Sequence, residues 1–288
     1  MRISIVLSTY NRPADLERVL WGYAAQHDRD FELLVADDGS GPETAETIRR
    51  VAAASGLAPV HVWHEDRGFR KTEILNRAIV ASTGDYLVFS DGDCIPRRDL
   101  VAVHRALARP GRFIAGGYLK LPDDVSRRIS VADVTSGRFA GLGWLRANGW
   151  RPGRRALRLT GSRRVGALLD AVTPTNAVFQ GNNASAWRED LYRVNGFEGE
   201  MGYGGLDKAL GYRLNNLGVR GIQARHRAVC LHLHHDRPYR DPEMVRLNLE
   251  RLAALRRGGE ARARRGLAEL DPDPTLRIDG EPVLQETR

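Results

Sequence analysis

The first 120 residues switch repeatedly between two hydrophobic patterns. Ile3–Ser8 is a largely β-branched run without alternation, as expected of a strand buried on both faces. Pro13 opens a helix through about Gln26, because proline suits the first turn. Phe31–Ala36 reads as the second strand and ends in Asp37-Asp38-Gly39-Ser40, a turn sequence. Helices are expected over Pro42–Ser55, Lys71–Ser82 and Arg98–Ala108, and strands over Val60–His64, Asp85–Ser90 and Phe113–Tyr118. Strands alternating with helices of this length imply an α/β fold with a mostly parallel sheet, flanking helices and right-handed crossovers. Such sheets bind ligands at the carboxyl ends of their strands. Tyr10-Asn11, Asp37-Asp38 and Asp91-Gly92-Asp93 all fall at such ends.

Residues 120–175 lose this periodicity and gain Gly, Arg and Trp, which reads as an irregular insertion beside the site. Phe179–Trp187 is expected as a strand containing Gly181-Asn182-Asn183, and Glu189–Val194 as a helix stopped by Gly196. Asp207–Leu217 reads as a helix closed by Gly218. Pro242–Leu267 is a long amphipathic pattern that Gly258-Gly259 can divide, and the polar tail from Asp271 is expected to be loose. The chain shows no internal repeat.

Composition narrows the class. Of 288 residues 42% are hydrophobic, enough to build a core and to exclude wholesale disorder. The two cysteines, Cys94 and Cys230, form no CxxC pair, so a reducing compartment fits better than a disulfide framework or a structural zinc site. The N-terminal apolar run is too short for a signal peptide, and no stretch reaches the roughly 18 apolar residues of a membrane span. A cytoplasmic protein is therefore expected. The formal charge of +8 is concentrated in two arginine clusters, Arg146 to Arg164 and Arg246 to Arg265. These clusters are either solvated faces or attractors of phosphate, anionic lipid or nucleic acid. Aromatic residues are not interleaved with them, so a nucleic-acid partner is not expected. The Pro242–Leu267 pattern either packs on the rest of the chain or rests on an anionic membrane, peripherally at its inner face.

Four stretches carry candidate chemistry. Asp91-Gly92-Asp93 follows a buried strand and can place carboxylate oxygens on a hard divalent cation, its glycine admitting a bulky ligand. A cation there offsets the charge of a departing diphosphate. Asp37-Asp38-Gly39-Ser40 suits either a ribose or base contact or an ordinary turn. Asp207, behind Gly204-Gly205, is either a helix cap or a general base toward an acceptor hydroxyl. His232, His234 and His235 lie within four positions, and an imidazole beside carboxylates favours manganese-like metals. Alternation on a strand would put His232 and His234 on one face and His235 on the other.

Taken in order, these pieces resemble the family 2 glycosyltransferases with a GT-A (Rossmann-like) fold. The C-terminal piece is similar to that of galactosyltransferases and chondroitin-polymerase-type enzymes. The matching residues are Ile5 to Arg12, Asp37 to Ser40, Gly68-Phe69-Arg70-Lys71 with Asn76, and Asp91-Gly92-Asp93. They continue with Gly181-Asn182-Asn183, Gly204-Gly205-Leu206-Asp207, Tyr212-Arg213-Leu214, and His232 with His235. The resemblance covers roughly residues 1–120 and 178–240.

It implies an inverting transfer of a sugar from a nucleotide-diphosphate donor, UDP being expected, to a hydroxyl of a glycan or lipid-linked acceptor in surface polysaccharide synthesis. Thr9, Tyr10, Asn11, Arg12, Asp38, Arg70, Lys71, Asp91 and Gly92 would bind the donor. Asn182, Asn183, Gly204 and Gly205 would face the acceptor. Asp91, Asp93, His232 and His235 would hold Mn2+ or Mg2+, and Asp207 would be the catalytic base. Residues 1–120 would form the nucleotide-sugar half, 121–240 the acceptor and catalytic part, and 241–288 an amphipathic helix and loose tail. Leu206 stands where such enzymes usually carry glutamate, which puts sugar preference in doubt while keeping the base. A sugar-1-phosphate nucleotidyltransferase would share the sheet and the metal, but its glycine-rich phosphate loop is replaced here by Ser-Thr-Tyr-Asn-Arg-Pro.

Overall fold

The computed structural model describes residues 1–236 and 241–283. The first half follows the expected alternation: β1 (Ile3–Thr9), α1 (Pro13–Ala24), β2 (Phe31–Asp37), α2 (Pro42–Ser55), β3 (Pro59–Trp63), α3 (Lys71–Ala81) and β4 (Tyr86–Asp91). Then come β5 (Cys94–Pro96), α4 (Leu100–Leu107) and β6 (Arg112–Lys120). The segment expected to be irregular instead winds into α5 (Asp123–Arg128), α6 (Val131–Ser136), α7 (Leu142–Ala147) and α8 (Arg163–Val172), with 3-10 turns between them. Its helices are too short to show a period in the sequence. The second half closes with β7 (Asn183–Trp187), α9 (Arg188–Arg193), α10 (Leu206–Asn216), β8 (Arg220–His232), α11 (Pro242–Gly258), β9 (Arg277–Ile278) and β10 (Glu281–Pro282).

All ten strands form one sheet, ordered β10-β9-β3-β2-β1-β4-β7-β6-β8-β5. Strands β3, β2, β1 and β4 run parallel, β6 and β8 form a second parallel pair, and β7 joins the two blocks antiparallel to both neighbours. The chain leaves β1 toward β2 on one side and returns to β4 on the other, so the strand order reverses there. That reversal opens a crevice beyond the carboxyl ends of β1 and β4. The register sets Ser8 beside Asp91 at its mouth.

Alternate β1 side chains feed two cores. Ile3, Ile5 and Leu7 pack with α1 and the middle helices, whereas Val6 packs with Ile74, Phe89, Phe179 and Leu210. Burying each such aliphatic side chain contributes roughly 1.5–3 kcal/mol of transfer free energy. That stiffens the strand ends on which the crevice is built.

Three expectations change. The strand expected from Phe179 begins at Asn183, and α11 stops at the expected Gly258-Gly259 break with no second helix running on to Leu267. Leu252 and Leu255 of α11 are buried in the second core, so this helix packs on the fold and presents no continuous apolar face to a membrane. The tail expected to be loose adds β9 to the β3 edge, with Asp279 exchanging hydrogen bonds with the backbone of His61. Residues 237–240 and 284–288 of the expected segments lie outside the described residues. Among the described residues no helix is long and apolar enough to cross a membrane.

Candidate functional site

A cleft of about 700 Å³ lies over the carboxyl ends of β1 and β4. Its floor carries Ser8, Thr9, Asp91, Gly92 and Asp93, and its walls include Tyr10, Arg12, Asp38, Lys71, Asn182, Gly204, Gly205, Asp207, His232 and His235. Most of the sequence-predicted residues therefore meet in one place.

Asp91 is gripped from two sides. Ser8 Oγ donates to its Oδ1 at 2.6 Å, and Lys71 Nζ donates to the same oxygen at 2.7 Å. Lys71 opens α3, so the helix start aims it across the strand ends. Burial works against its charge, but Asp91, Asp207 and Asp93 together raise its pKa.

Asp93 is bracketed by histidines, and strand pairing is the reason. β5 pairs antiparallel with β8, which sets Cys94 against His232, and the Leu233 N–H donates to the Asp93 carbonyl. His232 Nε2 then lies 3.8 Å from Asp93 Oδ1, and His235 Nε2 lies 2.9 Å from Asp93 Oδ2. The two rings stack with centroids 5.2 Å apart. Each turns its Nδ1 toward a backbone carbonyl, of Leu233 and Asp236 respectively, leaving Nε2 aimed at the carboxylate. Burial alone would raise the Asp93 pKa, but the His235 hydrogen bond and both imidazoles pull it well below the usual carboxylate range. The Asp93 hydrogen bond raises His235.

This corrects the expected alternation. The strand ends at His232, so His235 folds back to the same side, while His234 turns away toward Asp123. One carboxylate and two imidazoles are a donor set suited to a divalent transition metal. Cys94 joins Asp93 and His232 in the same cluster, its thiol raised by burial.

Asp207 is not the N-cap of its helix. Gly205, at φ 97°, occupies the N-cap of α10, so Asp207 sits inside the first turn. Its Oδ1 is buried and has no hydrogen-bond partner among the described residues; Thr9 Oγ1 and Asn182 Oδ1 share that state. Burial pushes the Asp207 pKa up to about 6, with Asp91 adding to the rise and Lys71 opposing it. Gly181 passes so close that a Cβ there would lie 2.4 Å from Asp207 Oδ1.

Asp38 is buried, accepts from the Arg70 backbone N–H at 3.1 Å and meets His64 Nε2 at 2.8 Å. Burial raises its pKa, partly offset by His64. Tyr10 donates to Asp66 at 2.8 Å and forms part of an exposed rim.

Three predicted residues do not line the cleft. Asn183 is buried beneath it, donating to the Gly117 and Ala228 carbonyls and meeting His104 Nε2 at 2.9 Å. Its role is to tie β7 to β6 and β8, which corrects its assignment to the acceptor. Asn11 accepts from the Gly41 N–H, and the Arg70 guanidinium reaches Glu65, Glu73 and Asp273, so both brace the loops behind the cleft. Sequence reading missed Ser8, His64 and the aromatic pair Phe69 and Tyr203, whose rings meet edge-on at 6.1 Å across the rim. Ser8 and Phe69 carried a signal in the stretches Ile5 to Arg12 and Gly68 to Lys71, although neither was given a role; His64 carried none.

Residues 4–132 match the model of Glycosyl transferase family 2. The chain is 29% identical over 242 residues to validoxylamine A glucosyltransferase of Streptomyces hygroscopicus subsp. jinggangensis, covering 78% of this chain and 56% of that one. It is 26% identical over 245 residues to chondroitin synthase of Escherichia coli, covering 78% of this chain and 34% of that one. The chain thus spans about half the length of the first relative and a third of the second. Its fold is similar to a mannosyltransferase from Pyrobaculum calidifontis solved with GDP-Man and Mn2+, with a TM-score of 0.55, 22% identity, and 90% and 70% of the two chains covered. Residues 4–132 therefore carry a Glycosyl transferase family 2 domain, and the mixed sheet with its flanking helices has the GT-A fold.

Proposed function

We propose that this chain is an inverting, metal-dependent glycosyltransferase that moves a sugar from a nucleotide-diphosphate donor, UDP-linked, to a hydroxyl of a glycan or lipid-linked acceptor. The observation that carries this reading is Asp207: a buried carboxyl with a raised pKa and an unpartnered oxygen, facing the same cleft as Asp91 and Asp93. In the ionised form Asp207 accepts the proton of the acceptor hydroxyl as its oxygen bonds to the anomeric carbon. The bond from that carbon to the diphosphate breaks from the opposite side, and the nucleoside diphosphate leaves.

Asp93, His232 and His235 would hold the cation, with Asp91 beside them. Mn2+ or Mg2+ bound there supplies charge neutralisation for the leaving diphosphate. The Mn2+ and GDP-Man of the Pyrobaculum calidifontis mannosyltransferase support a metal of this kind. Asp38, Tyr10, Arg12, Thr9 and Gly92 are the donor contacts, and Lys71 holds Asp91 in place through its hydrogen bond. Asn182, Gly204 and Gly205 face the acceptor. The sugar-1-phosphate nucleotidyltransferase alternative loses its support to the family match.

The test is a panel of nucleotide sugars supplied with Mn2+ and candidate acceptors, read as nucleoside diphosphate release. One donor should be consumed by the wild type and spared by Asp207→Asn. Near-normal transfer by that variant would sink the assignment of the base.

A further inference from the structure

The helix α8 is built inside out. At about 100° per residue, Val165, Leu168 and Val172 fall within about 60° of one another on one side of it. These three are 46%, 62% and 63% exposed, and Leu157, on the 3-10 turn before the helix, is 54% exposed. The opposite side of α8 is the polar one, and it is the side that is anchored. Asp170 is buried there, accepting from the His226 backbone N–H at 2.9 Å and from Arg227 Nε at 2.7 Å, with His226 Nδ1 also 2.9 Å away. Gly166 lies against the His226 carbonyl, where a Cβ would fit only at 3.0 Å. The helix is therefore fixed with its aliphatic stripe facing out.

The charge around that stripe is equally one-sided. Arg154 and Arg155 lie on the 3-10 turn before α8, and Arg163 and Arg164 open the helix; all four are exposed, and among the described residues none of them has an ion-pair partner. The second arginine cluster behaves differently. Arg246 pairs with Glu243 and Glu250, Arg264 pairs with Glu260, and Arg265 pairs with Asp271. Among the described residues Arg256 and Arg257 of the second cluster are also without ion pairs, but there Leu249 is exposed singly, whereas the first cluster sets its charge beside four exposed aliphatic side chains, the pairing that suits a sheet of anionic headgroups over hydrocarbon.

We propose that α8 and the turn before it dock the protein on an anionic bilayer, with Leu157, Val165, Leu168 and Val172 entering the headgroup boundary and the flanking arginines meeting lipid phosphates. The position links this surface to the cleft. Arg158, on the same turn, donates to the Tyr118 carbonyl, and Tyr118 lines the cleft. The turn that precedes α8 is therefore joined to a strand that borders the cleft. The proposal does not depend on the transfer chemistry, so either can fail alone.

The experiment is co-sedimentation of the full chain at low salt with vesicles of phosphatidylglycerol mixed into phosphatidylcholine, against vesicles of phosphatidylcholine alone. Wild type should sediment with the anionic vesicles only. Leu168→Asp with Val172→Asp should weaken partition by about tenfold or more, and Arg163→Glu with Arg164→Glu should do likewise. Added salt should mimic the second pair and not the first. All four substituted positions are exposed, and nucleotide binding by the variants should match wild type.

A second measurement guards against an indirect effect. Both native cysteines are buried, so a Leu168→Cys variant accepts an environment-sensitive dye at position 168. Its emission should shift blue on adding anionic vesicles. The assignment is overturned if wild type ignores anionic vesicles, if the aspartate pair binds like wild type, or if the dye does not respond. A concentration-dependent dimer abolished by the aspartate pair would overturn it too, by showing that a second copy covers the stripe.

Discussion

His235 Nε2 lies 2.9 Å from Asp93 Oδ2 while its Nδ1 lies 2.8 Å from the Asp236 carbonyl, so both ring nitrogens face acceptors and the pairing raises the His235 pKa. A doubly protonated ring would stand in the place proposed for the divalent cation.

Metal entry must then expel a proton from His235. Mn2+ titrated in buffers of differing ionisation enthalpy should show proton release below neutral pH that fades as pH rises past the raised His235 value. His235→Gln should bind Mn2+ more weakly and release no proton. Without metal, the pair steadies the fold in a definite window. The Asp93 share is present above its unfolded pKa of about 3.9 and is lost as pH falls; the His235 share is present below about 6.5 and is lost as pH rises through its folded value. Equal proton release by wild type and His235→Gln would contradict this.

As the proposed base, Asp207 would act only when ionised, and burial pushes its pKa up to about 6. The kcat/KM of the free enzyme should fall about tenfold per pH unit below that value and level off above it. Asp207→Asn should lose about 10²- to 10⁴-fold in kcat with nucleotide affinity unchanged. A profile flat through pH 5 would remove the base from the scheme.

Lys71 opposes the rise in the Asp207 pKa and binds Asp91. In Lys71→Met the acidic limb of the pH profile should move up by about one unit, because the nearest cation to both carboxylates is gone. Loss of rate with an unmoved limb would mean that Lys71 acts on the donor alone.

Asn183 is a structural residue. Removing its amide strands the Gly117 and Ala228 carbonyls below the cleft. Asn183→Ala should cost about 1–3 kcal/mol in urea denaturation, with the acceptor KM of the remaining folded protein unchanged. A raised acceptor KM at normal stability would return Asn183 to the acceptor site.

Much of this was legible in the chain because the relevant strands are buried on both faces. β1, β2 and β4 carry the apolar runs Ile5–Leu7, Leu33–Ala36 and Tyr86–Phe89, and Pro13 and Pro42 mark where helices begin. What stayed hidden lacks such a signal. β8 carries Arg220, Arg225 and Arg227 along its length and crosses a register break opposite Gly116 and Gly117, so its hydrophobic period is interrupted. β5 and β9 have three and two residues, below any usable window. The histidines were legible as a group, but their facing was not: period-two alternation ends with the strand at His232, and the turn after it decides where His235 points. Asn183 misled because it falls in the Gly181-Asn182-Asn183 stretch that carries the family resemblance, whereas only the packing of β6, β7 and β8 reveals its buried partners. In α8 the leucines imply a buried face, and Asp170 reverses that orientation by pairing with His226 and Arg227.

The most direct test of the account is calorimetric titration of UDP, and of the other nucleoside diphosphates, into the purified chain with and without Mn2+. Binding of one nucleotide that requires Mn2+ and disappears in Asp93→Ala is the predicted result. Nucleotide binding that is indifferent to Mn2+ and survives Asp93→Ala, or no binding at all, would contradict a cation site at Asp93, His232 and His235.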